Sequence, residues 1–196
     1  MVDTRVKAIE FDEENHKYWF TDSNGKHREL HGVTGAIGKL MGKSFPDTDV
    51  VKLATIYGSD VHKEVENYYN SDSKILSSDG AKWVVEYLEQ FKLEHFVNKI
   101  ECELMVSDFE GTASKIDVVA HLDSGNSILF DIKTTSHFDR EYCSLQLSVY
   151  KKLFEQNYDE HVLGMYVLGT KSKRAFRIIK QEDSRVNKIL NMNKGV

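Results

Sequence analysis

The stretch GTASKIDVVAHLDSGNSILFDIKTTSHF, residues 111–138, combines two strand-like apolar runs with charged residues inside them. Asp117 lies in the first run, and Asp131 and Lys133 lie in the second. Charges in segments suited to a buried strand are costly unless they are paired or bind a metal. The pattern therefore indicates either the solvated face of a sheet or a site that uses these charges.

Alternation along the strands predicts which of these side chains meet. Successive strand residues point to opposite faces, and a preceding strand over 98–106 brings Glu103 into the same region. The predicted apolar faces are Ile100, Cys102, Leu104 and Val106 on this strand, Ile116, Val118, Ala120 and Leu122 on the second, and Ile128, Phe130 and Ile132 on the third. If the strands are neighbours, Glu103, Asp117, Asp131 and Lys133 gather on the other face.

The remaining patterns predict helices and strands in alternation. VKAIEF and HKYWFTD predict an N-terminal hairpin, and Asn24-Gly25 marks a further hairpin turn. Apolar spacing predicts helices over 49–69, 81–95, 139–156 and 184–193, and strands over 98–106, 114–122, 127–134, 162–170 and 175–181. This order predicts an α/β (α+β) fold, with a central mixed sheet flanked by helices. We expect one domain, with a hairpin and a connection around Pro46 in residues 1–48 and the core in 49–196.

Composition limits the class of protein. The chain has 196 residues, 40% hydrophobic and 29% charged, which suits one globular domain. It has no apolar run of membrane-spanning length and no secretory signal, and its two cysteines are not in metal-type spacing. These features favour a cytoplasmic protein that does not enter membranes. The net charge of −5 gives no general attraction to nucleic acid, although Lys151-Lys152 and Lys171–Arg174 are locally basic.

The predicted charge cluster suits one kind of chemistry. Carboxylates held together repel one another unless a cation lies between them, and their oxygens are ligands for Mg²⁺ or Mn²⁺. A nearby lysine can orient water or stabilise charge that develops on a phosphate. Such a set is suited to metal-assisted hydrolysis of a phosphodiester. By alternation alone, an amphipathic strand with a solvated outer face remains the more common explanation.

Four motifs in order resemble the PD-(D/E)xK nuclease superfamily, in its RecB-type and phage-exonuclease branch. They are the G-x-x-x-H helix in YGSDVHKEVE, the GTASKID segment that ends at Asp117, Asp131-Ile132-Lys133, and Gln146 to Tyr150 as Q-x-x-x-Y. The leader HKYWFTDSNGKHRELHGVTGAIGKL is also similar to that of small phage exonucleases. The resemblance covers most of the chain and implies a restriction-endonuclease-like core.

The resemblance implies roles for individual residues. Asp117 and Asp131 would bind a catalytic Mg²⁺ or Mn²⁺, and Lys133 would act in catalysis. The further ligands would be His62, the Ile132 carbonyl and Glu103, with Glu101 a rival for the place of Glu103. Gln146 and Tyr150 would contact the substrate or brace the lysine, and Lys151, Lys171, Lys173 and Arg174 would contact DNA. Taken singly, His62 is more often an ordinary hydrogen-bonded histidine, and Lys171–Arg174 a solvated turn.

The implied function is a metal-dependent deoxyribonuclease. The resemblance favours an exonuclease acting at a DNA end, virus-encoded in a bacterial host, with a recombination or annealing protein as a candidate partner. Two cysteines exclude a four-cysteine iron–sulfur cluster, and no P-loop for a nucleotide occurs. Two alternatives stay open: a non-catalytic DNA-binding accessory module, and an inhibitor whose acidic surface binds a protein partner. The sequence leaves the oligomeric state open.

Overall fold

The computed structural model describes residues 2–43, 49–71 and 73–194. The N-terminal part contains β1 (Ile9–Asp12), β2 (Lys17–Thr21), β3 (His27–Leu30) and α1 (Val33–Met41). The larger part contains α2 (Asp49–Asn70), α3 (Asp79–Glu94), β4 (Val97–Ser107), β5 (Ala113–Leu122), β6 (Asn126–Lys133), α4 (Arg140–Tyr158), β7 (His161–Gly169), β8 (Arg174–Arg177) and α5 (Asp183–Lys194). No helix of the described residues is long and apolar enough to cross a membrane.

The central sheet has the order β4-β5-β6-β7-β8. Only β6 and β7 are parallel, and α4 forms the crossover that a parallel pair requires. Helices cover both faces of the sheet, so β6 is buried along most of its length and reads as an almost continuous apolar run. The predicted α+β fold, a mixed sheet flanked by helices, is confirmed.

Two hydrophobic clusters hold the helices against the sheet. The first lies under α1, α4 and α5 and includes Leu129, Leu145, Leu153, Phe154 and Ile189. The second lies under α2 and α3 and includes Val61, Leu88, Val118 and Phe130. The layer of α1, α4 and α5 and the layer of α2 and α3 therefore pack on opposite faces of the central sheet.

The predicted N-terminal hairpin is part of a three-stranded antiparallel sheet in the order β1-β2-β3. Gly25 has φ +78°, a conformation that glycine adopts without steric cost, and the Asp22 carboxylate accepts from the amides of Asn24 and Lys26. Inward-facing residues of this sheet, including Tyr18 and Phe20, pack with Ala113 of β5 in a third cluster. The N-terminal sheet thus rests directly on the central one.

Helix α1 was not predicted, because Gly35, Gly38 and Gly42 give its sequence the character of a connection. Val33 and Ile37 are fully buried in the first cluster, and this packing outweighs the low helix propensity of glycine. The predicted connection is therefore wrong for residues 38–41, which end the helix. Pro46 lies outside the described residues.

The prediction of one continuous apolar face on β4 and on β5 is wrong. In the middle of each strand, the residues of the predicted apolar face change from one hydrophobic cluster to the other. Glu103 has φ +54°, a conformation that a non-glycine residue rarely adopts, and no residue pair joins it to Asp117 in the ladder. Leu104, Val106 and Ile116 pack with the first cluster, whereas Ile100, Cys102, Val118 and Ala120 belong to the second. The irregular point lies at the two carboxylates that the sequence singles out. On β6 the predicted alternation is found, with Leu129 in the first cluster and Phe130 in the second.

Candidate metal and phosphate site

The site lies where β5 and β6 separate. Val118 and Phe130 form the pair of this ladder nearest the site, so the amide of Ile132 has no backbone partner on β5. The Asp117 carboxylate takes that place, and its Oδ2 accepts from Ile132 N at 2.7 Å. We call this separation of the ends of β5 and β6 the fork. There the Asp117 carboxylate of β5 bonds to the backbone of β6 next to Asp131.

Helix α2 brings His62 to the same fork. One turn before His62, Gly58 lies so close to the strand end that a Cβ there would be 3.0 Å from Thr134 Oγ1. This close approach places His62 Nε2 3.2 Å from the Ile132 carbonyl oxygen. The glycine of the G-x-x-x-H pattern thus has a physical use, because it lets the helix reach the strand.

His62, Glu103 and Asp117 form a group that could hold a metal ion. One nitrogen or oxygen ligand atom from each lies within 4.8 Å of the others. His62 Nδ1 is 3.7 Å from Asp117 Oδ2 and 3.9 Å from Glu103 Oε1. The unusual backbone of Glu103 turns its side chain into this group. Imidazole nitrogen with carboxylate oxygen is a donor set that suits Mn²⁺ or Mg²⁺.

Asp131 borders this group and pairs with Lys133. Asp131 is 1% exposed, and its Oδ1 accepts from Lys133 Nζ at 3.0 Å. The other oxygen, Oδ2, is 2.9 Å from the same nitrogen but receives no well-aligned hydrogen bond within the described residues. A buried carboxylate oxygen in this state is a natural ligand for a cation. The residues present therefore fit a divalent metal ion.

The pKa values follow from burial and from the neighbouring charges. Burial raises the pKa of Asp131, Lys133 opposes this, and Asp117 adds to it, which leaves the pKa at about 6. Burial also raises the pKa of Asp117, against the opposing charge of His62. Burial lowers the pKa of His62, but Asp117 and Glu103 outweigh it and raise the pKa to about 9. Without a metal ion, His62 is therefore an imidazolium at neutral pH.

Lys133 keeps its positive charge at neutral pH. Burial lowers its pKa, but the charges of Asp131 and Asp117 outweigh burial, and the pKa is raised. Gln146 Oε1 lies 3.4 Å from Lys133 Nζ, and Gln146 Nε2 donates to the Tyr150 hydroxyl at 3.1 Å. The Tyr150 hydroxyl in turn lies 3.2 Å from Ser114 Oγ. One face of α4 thus braces the lysine through a chain of buried polar groups.

The predicted DNA-contacting lysines fall in two different places. Lys151 donates to Glu155 Oε1 and to the Val162 carbonyl, each at 2.7 Å, at the end of β7 remote from the site. The structure therefore does not bring Lys151 to the site. By contrast, the turn from β7 to β8 starts beside Lys133, because the Thr170 amide donates to the Lys133 carbonyl at 3.0 Å.

This turn carries the other three predicted cations, Lys171, Lys173 and Arg174, all of them exposed. The ammonium of Lys171 lies 4.6 Å from the centre of the Tyr57 ring on α2. The turn therefore carries positive charge next to the strand end that holds Lys133, and Lys171 links it to Tyr57 of α2.

The rival acidic residue lies elsewhere. Glu101 Oε2 is 3.0 Å from His121 Nε2, and Glu101 Oε1 is 2.8 Å from Lys99 Nζ. These contacts with His121 and Lys99 lower the pKa of Glu101 to about 2, despite its partial burial. Glu103 is thus the β4 carboxylate at the site, because the local backbone irregularity overrides strict alternation.

Three neighbours of the site were not singled out from the sequence. Lys115 Nζ is 4.0 Å from Glu103 Oε2, Ser114 contacts Tyr150, and Tyr18 belongs to the N-terminal sheet. Burial, with the charge of Glu103, raises the pKa of Tyr18 to about 12. Ser114 and Lys115 lie inside GTASKID and could have been found there. Tyr18 carries no signal in the sequence, because only the docking of the two sheets brings it near.

The chain was compared with protein families, curated proteins and solved structures. No protein-family model matches the chain, and no curated protein matches it. Among solved structures, it is similar to a protein from Eubacterium rectale named as a candidate exonuclease, with 14% sequence identity and a TM-score of 0.41. The similarity covers 85% of this chain and 77% of that one. A TM-score of this size does not establish a common fold or a common activity.

Proposed function

We propose that the chain is a metal-dependent nuclease that hydrolyses phosphodiester bonds of DNA. The observation that carries this proposal is the group of His62, Glu103 and Asp117 at the fork of the sheet, with the ion pair of Asp131 and the braced Lys133 beside it. The order of the motifs supports membership of the PD-(D/E)xK superfamily, as a single nuclease domain. A merely solvated sheet face does not account for a 1% exposed carboxylate with an oxygen that lacks a well-aligned donor.

The proposed metal ligands are the side chains of His62, Glu103, Asp117 and Asp131 and the Ile132 carbonyl. When bound there, Mg²⁺ or Mn²⁺ would lower the pKa of a water molecule and offset charge on the phosphate. The chain's part is to hold the donors in place: Asp117 is fixed by the Ile132 amide, and His62 by the approach of α2 at Gly58.

Lys133 supplies a positive charge beside the reacting phosphate. Its raised pKa means that it keeps its proton, so it acts as a hydrogen-bond donor and not as a base. Gln146 and Asp131 hold the ammonium in one orientation, so it can stabilise the charge of the pentavalent transition state. Water adds to phosphorus and loses a proton to solvent, the opposite bond from phosphorus to the 3′ oxygen breaks, and the leaving 3′ oxygen takes a proton from solvent to become a hydroxyl. By resemblance, the 5′-phosphate stays on the product.

The substrate assignment rests on charge and on resemblance. The net charge of −5 disfavours general binding to nucleic acid, whereas Lys171, Lys173 and Arg174 place positive charge at the border of the site. The resemblance adds the finer parts of the proposal. These are an exonuclease acting at a DNA end, encoded by a phage, active in recombination, repair or replication inside a bacterial host, and working with a recombination or annealing protein.

The first experiment compares linear with closed circular DNA. End-labelled substrates are incubated with purified protein in Mg²⁺, Mn²⁺ or EDTA, beside an Asp131→Asn variant. We expect loss of the linear DNA only with metal, and none with the variant. Circular dichroism of the variant checks that its fold is kept.

The alternatives give different outcomes. Cutting of the circle would make the protein an endonuclease. DNA binding without cleavage in any metal would favour the accessory module over the enzyme. Neither binding nor cleavage would overturn the proposal and would direct the search to a protein partner.

A further inference from the structure

Lys115 is a second cation at the fork, on the side away from Lys133. It lies on β5 two residues before Asp117, and its register partner on β4 is Met105. Met105 packs against the N-terminal cluster, so this part of β5 faces the N-terminal sheet. Lys133, at the end of β6, contacts Asp131 and Gln146 of α4, whereas Lys115, on β5, contacts Glu103.

An aromatic ring fixes the position of this ammonium. Lys115 Nζ lies 4.2 Å from the centre of the Phe11 ring, within the range of a cation–π interaction. Phe11 is itself packed on Tyr18, with ring centroids 4.7 Å apart. The N-terminal sheet therefore provides a rigid support for a charge on the central sheet.

Among the described residues, the Lys115 ammonium has no hydrogen-bond acceptor. Its one ion pair within the described part of the chain, with Glu103 Oε2, is long at 4.0 Å. Lys133 differs, since its ammonium donates to both Asp131 and Gln146. The Lys115 side chain is 21% exposed, so it is partly open to solvent, and its ammonium carries three N–H donors.

The two oxygens of Glu103 face different partners. Oε1 faces His62 in the candidate metal group, and Oε2 faces Lys115. An anion that approaches Lys115 from solvent can therefore contact its ammonium while Glu103 Oε1 stays directed at the metal group. A DNA phosphate offers short, charge-assisted hydrogen bonds that the 4.0 Å contact lacks.

We propose that Lys115, supported by Phe11, forms a second phosphate subsite that binds a backbone phosphate of the substrate on the N-terminal-sheet side of the site. This inference rests on the proposed nuclease function and adds a residue to it. It also gives the N-terminal sheet a part in substrate binding, through the ring that supports the lysine. The competing explanation is purely structural: the Lys115–Phe11 contact only fastens the two sheets together.

The test replaces Lys115 with methionine, which keeps the apolar stem on the ring and removes the charge. Lys99→Met is the matched control, because it changes the net charge equally at the other end of β4. KM and kcat are measured on linear DNA, and DNA affinity is measured by anisotropy in Ca²⁺ over a series of salt concentrations. Melting temperature reports the structural contribution of each side chain.

We expect Lys115→Met to raise KM about tenfold, the size of one charged hydrogen bond, with a small change in kcat. The slope of log affinity against log salt should fall by about 1, with the melting temperature kept. Lys115→Arg should retain most of the affinity, and Phe11→Leu should lose part of it. Lys99→Met should match the wild type.

Two outcomes would overturn the inference. If Lys115→Met binds and cleaves DNA like the wild type, no phosphate subsite exists at Lys115, and the nuclease proposal still stands. The same holds if Lys115→Met lowers the melting temperature and leaves the salt slope unchanged, since the contact is then only structural. If the wild type neither binds nor cleaves DNA, the nuclease proposal itself fails, and the subsite with it.

Discussion

Metal binding at the fork should release a proton and should tighten as the pH rises. His62 holds its proton up to a pKa of about 9, because Asp117 and Glu103 outweigh the effect of burial. A metal ligand must be neutral imidazole, so a metal ion competes with this proton. The competition is strongest at low pH and ends once the pH passes the pKa of His62.

The size of the effect follows from the pKa. At pH 7 the proton must be removed two units below a pKa of about 9, which costs about 2.7 kcal/mol and weakens metal affinity about 100-fold. Affinity should therefore rise about tenfold for each pH unit between 7 and 8.5. Asp131, with a pKa of about 6, is already mostly ionised in this window and adds little to the slope.

The assay is titration calorimetry with Mg²⁺ and Mn²⁺ at pH 7, 7.75 and 8.5. Buffers of different ionisation enthalpy count the protons released, and about one per metal ion is expected. His62→Asn is the control, and its affinity should vary much less with pH. Metal binding that is equally tight at all three pH values, with no proton released, would refute the assignment of His62 as a ligand.

Three further predictions concern stability. His121 lies between Glu101 and Glu160, and these carboxylates outweigh burial and raise its pKa; its stabilising contribution should therefore be complete below about pH 6.5 and be lost as the pH rises through the raised value. In urea denaturation, the difference between wild type and His121→Asn should shrink with rising pH, and a constant difference would contradict the ion pairs. Phe130→Ala should cost about 3–5 kcal/mol in the same assay, because Phe130 is fully buried beneath α3, and a loss under 1 kcal/mol would be inconsistent with that packing. Gly111→Ala should cost about 1–3 kcal/mol or prevent folding, since its Cβ would lie 2.5 Å from the Asn193 carbonyl oxygen, and a wild-type melting temperature would show that α5 does not dock there.

The sequence predicted the order of helices and strands because their apolar periods are strong. It also predicted that Asp117, Asp131 and Lys133 would meet, since two adjacent strands joined by a short turn must be neighbours. Gln146 and Tyr150 were found through a motif, and one helical turn places both on the side of Lys133.

Other parts of the site were beyond sequence patterns. The positive φ of Glu103 lies where β4 passes from one cluster to the other, and the residue type at that position does not predict it. Lys151 directly follows Tyr150 on α4, but its ammonium donates to Glu155 and to the Val162 carbonyl, away from the site, a distinction that composition cannot make. Helix α1 could not be predicted because its glycines disfavour a helix, and its stability comes from tertiary contacts.

The hydrogen bond from Ile132 N to Asp117 bears on the choice of an inactive variant for any biochemical study. Asp117→Ala would remove a candidate ligand and also leave a backbone amide orphaned between two strands, so lost activity and a disturbed sheet would be indistinguishable. Asp117→Asn keeps an oxygen for that amide. Asp131→Asn leaves the backbone hydrogen bonds of the sheet in place, because Asp131 pairs with the Lys133 side chain, and its amide oxygen can still accept from that ammonium; it is the cleaner knockout for crystallising a substrate complex.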